Sequence, residues 1–137
     1  MLKFLILPVG LMLGAAGAFT AQIVQKYQSE AAQAQTSFIP VGAITIPLVM
    51  PDGRLSTYIN VSAELEVSDA EAAHVGAQLP LLLNAVNMQA FRAPLSRGPD
   101  GRLPRFREIH HLIETAAAAT FGRAAVRRVV VTQIAPQ

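Results

Sequence analysis

The sequence predicts an α+β fold, a small antiparallel or mixed sheet with two to three helices packed on it, preceded by an N-terminal transmembrane helix. Three observations carry this prediction. Residues 55–67 alternate strictly between apolar or small and polar side chains, the period of a half-buried strand. Apolar residues then recur at helical spacing over 72–90 and again over 106–117. Two β-rich runs, FIPVGAITIPLVM at 38–50 and VRRVVVTQI at 126–134, open and close the region.

A chain of 137 residues has room for one small domain and one appendage. The appendage is residues 4–24, FLILPVGLMLGAAGAFTAQIV, an uncharged run about as long as the roughly 20 residues a helix needs to cross a bilayer core. Two readings compete. As a signal peptide, Lys3 is the basic start, residues 4–13 the apolar stretch and Ala16-Gly17-Ala18 the cleavage site. As a retained single-pass anchor, the apolar length continues through Ala21, Ile23 and Val24, Tyr27 suits the interface, and QKYQSEAAQAQT follows as a polar spacer. The expected division is 1–24 for the short N-terminus and anchor, 25–37 for the spacer and 38–137 for the folded domain. Either reading delivers that domain across the inner membrane of a bacterium-like cell. The lack of cysteine is compatible with an oxidising compartment.

Within the domain, Pro40 and Pro47 lack the ladder N–H and assign the first strand to an edge or a bulged position. Pro51-Asp52-Gly53 is a turn, so a hairpin follows. In the next strand Leu55, Thr57, Ile59, Val61, Ala63, Leu65 and Val67 face one way, and Ser56, Tyr58, Asn60, Ser62, Glu64 and Glu66 the other. Ser68, with Glu71 three residues on, reads as a capping box that starts a helix near Asp69. Its inward stripe is Ala72, Val75, Leu79, Leu82, Leu83, Val86 and Ala90. Pro80 predicts a kink or two helices meeting near residues 78–81. Residues 92–104, RAPLSRGPDGRLP, read as a mobile loop. A further helix is expected over 105–121 with Phe106, Ile109, Ile113, Ala116 and Ala117 inward, stopped by Gly122, before a last strand beside the long one.

Charge is unevenly distributed along the chain. Residues 1–90 carry three basic and six acidic side chains; residues 91–137 carry eight arginines and three acids. Arg92, Arg97, Arg102, Arg105 and Arg107 either decorate a solvated loop and helix start or form a face for an acidic partner or a neighbouring copy. Nucleic acid is not expected as a partner, because no aromatic residues interleave the arginines and no recognised motif is present. Adjacent His110 and His111 diverge by about 100° on a helix and cannot grip one metal as an i, i+4 pair can. His110 reads as a packing histidine, and His111 falls with Glu108 and Glu114 on the polar face. Glu64 and Glu66 lie about 7 Å apart on one strand face, which is also what a solvated strand face gives. No phosphate loop and no Ser/His/acid grouping stands out, so neither catalysis nor a cofactor or metal is expected.

An anchor, a spacer, FIPVGAITIPLVMPDGRLSTYINVSAELEVSD, AQLPLLLNAVNMQAF and the closing VRRVVVTQIAPQ together resemble the flagellar basal-body-associated FliL family. Members write an aromatic-x-Pro opening, an Asp-Gly turn, a strand ending in a Leu-Glu-Val-Ser-Asp type sequence, a Leu-Pro-led helix, a second helix and a last strand near a C-terminal Gln. The resemblance covers residues 4–137. It implies a single-pass inner-membrane protein with a stomatin-like (SPFH) periplasmic domain that associates with the flagellar stator, assembles as a ring and supports rotation and motility. This sequence departs from the family in its very short N-terminal tail, in Pro47 within the first strand, and in Leu83-Asn84 where relatives carry a charged pair. From the charge asymmetry, the candidate contacts of a head-to-tail homo-oligomer are Glu64 and Glu66 on one edge and Arg97, Arg102, Arg105 and Arg107 on the other. Two alternatives remain open: a signal-peptide-processed periplasmic binding domain, and a stomatin-like membrane scaffold unrelated to flagella.

Overall fold

The strictly alternating segment forms strand β2 (Leu55–Ser68), and it is the centre of a three-stranded sheet. β1 (Thr36–Val49) pairs with it antiparallel on one side and β5 (Val126–Pro136) antiparallel on the other. The structure is a computed structural model that describes residues 35–137. The expected anchor, the cleavage site at Ala18 and most of the spacer therefore lie outside the described residues. Among the described residues, no helix is long and apolar enough to cross a membrane. The last two residues assigned to the spacer, Thr36 and Ser37, belong to β1.

Ile59, Val61, Ala63, Leu65 and Val67 of β2 are all buried. Leu55, on the same parity, is 47% exposed, because the strand there has left the helical layer. Both neighbours of β2 keep apolar residues inward by changing parity at bulges. In β1 the register shifts between Pro40 and Gly42, so Ile39 faces the core before the bulge, the bulged Val41 is buried at it, and Ile44, Ile46 and Leu48 face the core after it. Gly42 takes φ 86°, which an L side chain there would resist. In β5, shifts on either side of residues 128–131 bring Val126, Val129, Val131 and Ile134 to the core face in turn. Pro40 and Pro47 sit in an edge strand as expected.

The β1–β2 turn is closed by hydrogen bonds from Gly53 N to Met50 O and from Met50 N to Arg54 O. Asp52 accepts from the Arg54 backbone N–H and from its Nε, and these bonds, the backbone one foremost, hold the Asp52 carboxyl below the usual carboxylate range. Three helices follow the hairpin: α1 (Asp69–Ala77), α2 (Leu79–Ala90) and, after a small hairpin, α3 (Phe106–Phe121). Pro80 lies in the first turn of α2, where its missing N–H has no intrahelical partner to lose, and the chain breaks at Gln78 between two helices. Val75, Leu82, Val86, Ala90, Ile109, Ile113 and Ala116 meet the sheet in one core with no measurable exposure. Gly122, with φ 87°, ends α3 and donates its N–H to Ala118 O.

Three local expectations are corrected. Ser68 is the N-cap of α1 but its hydroxyl makes no cap bond; instead Ser37 Oγ of β1 donates to the Asp69 carboxylate, which ties strand to helix start. Phe106 is 58% exposed rather than inward, since it precedes the turn at which α3 meets the sheet. Residues 92–104 do not form a free loop. They hold a two-stranded hairpin, β3 (Ser96–Arg97) with β4 (Leu103–Pro104), pinned to the β1–β2 turn. Buried Ser96 donates its hydroxyl to Val49 O at 2.9 Å and Ser56 Oγ donates to Asp100 O at 2.7 Å. Gly101 is buried against Met50 and Ser56.

Candidate interaction surface

The outer face of the sheet is set by the same alternation that buries its inner face. Glu66 lies opposite Phe38 of β1 and Arg128 of β5, while Glu64 lies opposite Pro40 and Val130. Arg128 Nε meets Glu66 Oε2 at 2.9 Å, so one of the two candidate acids already has an ion partner within the chain. Replacing each with alanine singly and together should yield a coupling of no more than about 1 kcal/mol in urea unfolding, because the Arg128 side of the pair is largely exposed to solvent. Among the described residues Glu64 has no ion partner. Beside it, Phe38 leaves 49% of its surface exposed.

The arginines separate in the same way. Arg105 is at the N-cap of α3, where its backbone N–H donates to Leu95 O and its Nε donates to Ser96 O, so it serves to hold the β3–β4 hairpin. Arg97 and Arg102 stand exposed on that hairpin. The hairpin touches β2 at Ser56, eight residues before Glu64 and so about 27 Å along the strand from it. Arg107 is exposed in the first turn of α3, where a cation meets the positive end of the helix dipole. None of Arg97, Arg102 and Arg107 has an ion pair among the described residues. The structure thus leaves Glu64 on the sheet face and three arginines on the hairpin and helix layer, and does not bring the two sets together.

Several grooves border α3, and two of them are large. One, about 440 Å³, runs between α3 and the end of α2, with an apolar floor of Ala93, Pro94, Leu95 and Leu112 and with Arg105, Arg107, Glu108 and His111 around it. The other, about 490 Å³, lies between Phe106, Arg107 and His110 of α3 and residues 131–134 of β5. His110 is a packing histidine, as expected: its Nε2 donates to Val129 O at 2.8 Å and covers an edge carbonyl of β5, while Nδ1 lies 3.5 Å from the Glu114 carboxylate. His111 is exposed on the polar face with Glu108 and Glu114. Sequence reasoning missed the first groove because its walls come from the end of one helix and the start of another, which are brought together by helix packing and the pinned hairpin. It also passed over Phe38, whose exposure depends on the register with Glu66.

A scan against models of protein families finds no match for this chain, and a search of curated proteins finds none. The likeness to the FliL family therefore rests on the sequence segments quoted for it.

Proposed function

We propose that this chain is a non-enzymatic, FliL-like inner-membrane protein: a single-pass anchor at residues 4–24 holds a periplasmic domain that associates with the flagellar stator, forms a ring of copies and supports flagellar rotation. The observation that carries the ring is the placement of unpaired charge. Glu64 stands on the outer sheet face, whereas Arg97, Arg102 and Arg107 stand on the hairpin and helix layer, with the sheet between. A head-to-tail contact needs two such different patches on every copy. The order of elements, with a long hairpin, a Leu-Pro-led helix, a second long helix and a last strand returning beside the first hairpin, agrees with the order of motifs that carries the family likeness.

Affinity capture of the tagged full-length protein from membranes of its own host should recover the flagellar stator proteins, and recovery of the protein without them would count against the reading. The apolar groove beside α2 favours one rival, a processed periplasmic domain that binds a ligand. Intact mass separates the two, since cleavage after Ala18 removes 18 residues that an anchor keeps.

A further inference from the structure

We propose that neighbouring copies join through Phe38 and Glu64 of one copy and the groove between α2 and α3, with Arg107, of the next. The inference rests on the ring reading above and names the surfaces that build it. Phe38 and Glu64 are diagonal neighbours on the outer sheet face, since Phe38 lies opposite Glu66 and Glu64 is two residues before it. They present a half-exposed aromatic ring beside a carboxylate without an ion partner among the described residues. The groove presents the complement: an apolar floor of Ala93, Pro94, Leu95 and Leu112, with Arg107 and His111 at its rim. Its volume, about 440 Å³, is within the range that takes an aromatic side chain together with its neighbours. Glu108 on the same rim opposes the carboxylate, so the geometry directs Glu64 to the Arg107 side.

Arg107 also bears an unexplained cost. A cation in the first turn of a helix is disfavoured by the dipole; Glu108 in the same turn offsets the dipole, but no carboxylate among the described residues pairs with Arg107. An incoming Glu64 would supply that partner. Glu66 is left to Arg128 and Arg105 to the Ser96 carbonyl, so neither is free to carry the contact. Because knob and groove lie on opposite layers of one chain, the contact is heterologous and repeats from copy to copy, as a ring requires.

The chain has no cysteine, which makes the test clean. Full-length protein carrying both Ser62→Cys, two residues before Glu64 on the same sheet face, and Thr115→Cys, on the groove wall, is treated in native membranes with a short bismaleimide, so that Phe38, Glu64 and Arg107 all stay in place. The expected result is a ladder extending beyond dimer, with each single-cysteine protein giving no ladder. Adding Glu64→Arg should reduce the ladder at least about tenfold, and Glu64→Arg together with Arg107→Glu should restore it. Both positions are outside the core, so folding is retained. Dimers from Ser62→Cys alone would mean a symmetric contact and overturn the proposal. No ladder from the double-cysteine protein, while uncrosslinked wild type is multimeric by native mass spectrometry, would overturn this contact and leave the ring reading standing. A monomeric wild type would overturn both.

Discussion

Replacing Leu65 with alanine is expected to destabilise the folded domain by about 3 kcal/mol, within the range for emptying a leucine site in a packed core. Leu65 is fully buried in the centre strand, opposite Ile39 of β1 and Val129 of β5, so the cavity opens where the sheet is held from both sides. The sheet cannot collapse into that space without breaking two ladders. Leu55→Ala is the control: the residue has the same parity in the sequence but is 47% exposed, so its loss should be no more than about 0.5 kcal/mol. Urea unfolding followed by circular dichroism reads both. Equal effects would mean that the alternation, rather than the position beneath the helices, decides burial.

Replacing Gly101 with alanine should cost about 2 kcal/mol and loosen the β3–β4 hairpin. Two independent causes act there. Its φ of +67° is one that alanine resists, and a Cβ would sit 2.7 Å from Met50 Cγ and 3.1 Å from Ser56 Cβ. Met50 can swing aside in part, but Ser56 is held in β2 and by its bond to Asp100 O. Limited trypsinolysis at Arg97 and Arg102 should accelerate together with the fall in stability. Gly76→Ala offers the opposite sign: in α1 a Cβ there meets open space, and alanine should stabilise the helix by about 0.5–1 kcal/mol. A neutral Gly101→Ala would show that the hairpin is not pinned in the way described.

Much of the fold was legible because its signals are local. The alternation of β2, the Asp-Gly turn, the break at Pro80 and the stop at Gly122 each act within a few residues, and each appears where expected. What was not legible depends on partners distant in the chain. The parity change at Gly42 is hidden in a run of apolar residues, and only pairing with β2 shows that Ile39 and Ile44 share a face. Ser68 carries the pattern of a cap, but Ser37 reaches Asp69 from another strand and the cap bond is not made. The proline and glycine content of residues 92–104 reads as mobility. Its bonds to Val49 and Ser56 come from sequence separations that no local pattern reports. The candidate site divides along the same line: the charge imbalance was visible, whereas the pairing of Glu66 with Arg128 and the use of Arg105 inside the hairpin were not.

The self-pairing of Glu66 also narrows what the charged residues can do. Of the six candidates, Glu64, Arg97, Arg102 and Arg107 have neither an ion pair nor a side-chain hydrogen bond among the described residues, and they lie on surfaces that face different directions. That arrangement suits assembly better than a closed intramolecular network, in which opposite charges would meet within one copy.

The central claim, an anchored protein acting on the flagellar motor, is tested most directly by swimming and swarming speed of a clean deletion across a range of added viscosity, complemented either by the full-length gene or by a version lacking residues 4–24. The account predicts a defect that grows with load and is rescued by the full-length form alone. Normal motility at every load would contradict the motor role, and rescue by the form without residues 4–24 would contradict the anchor.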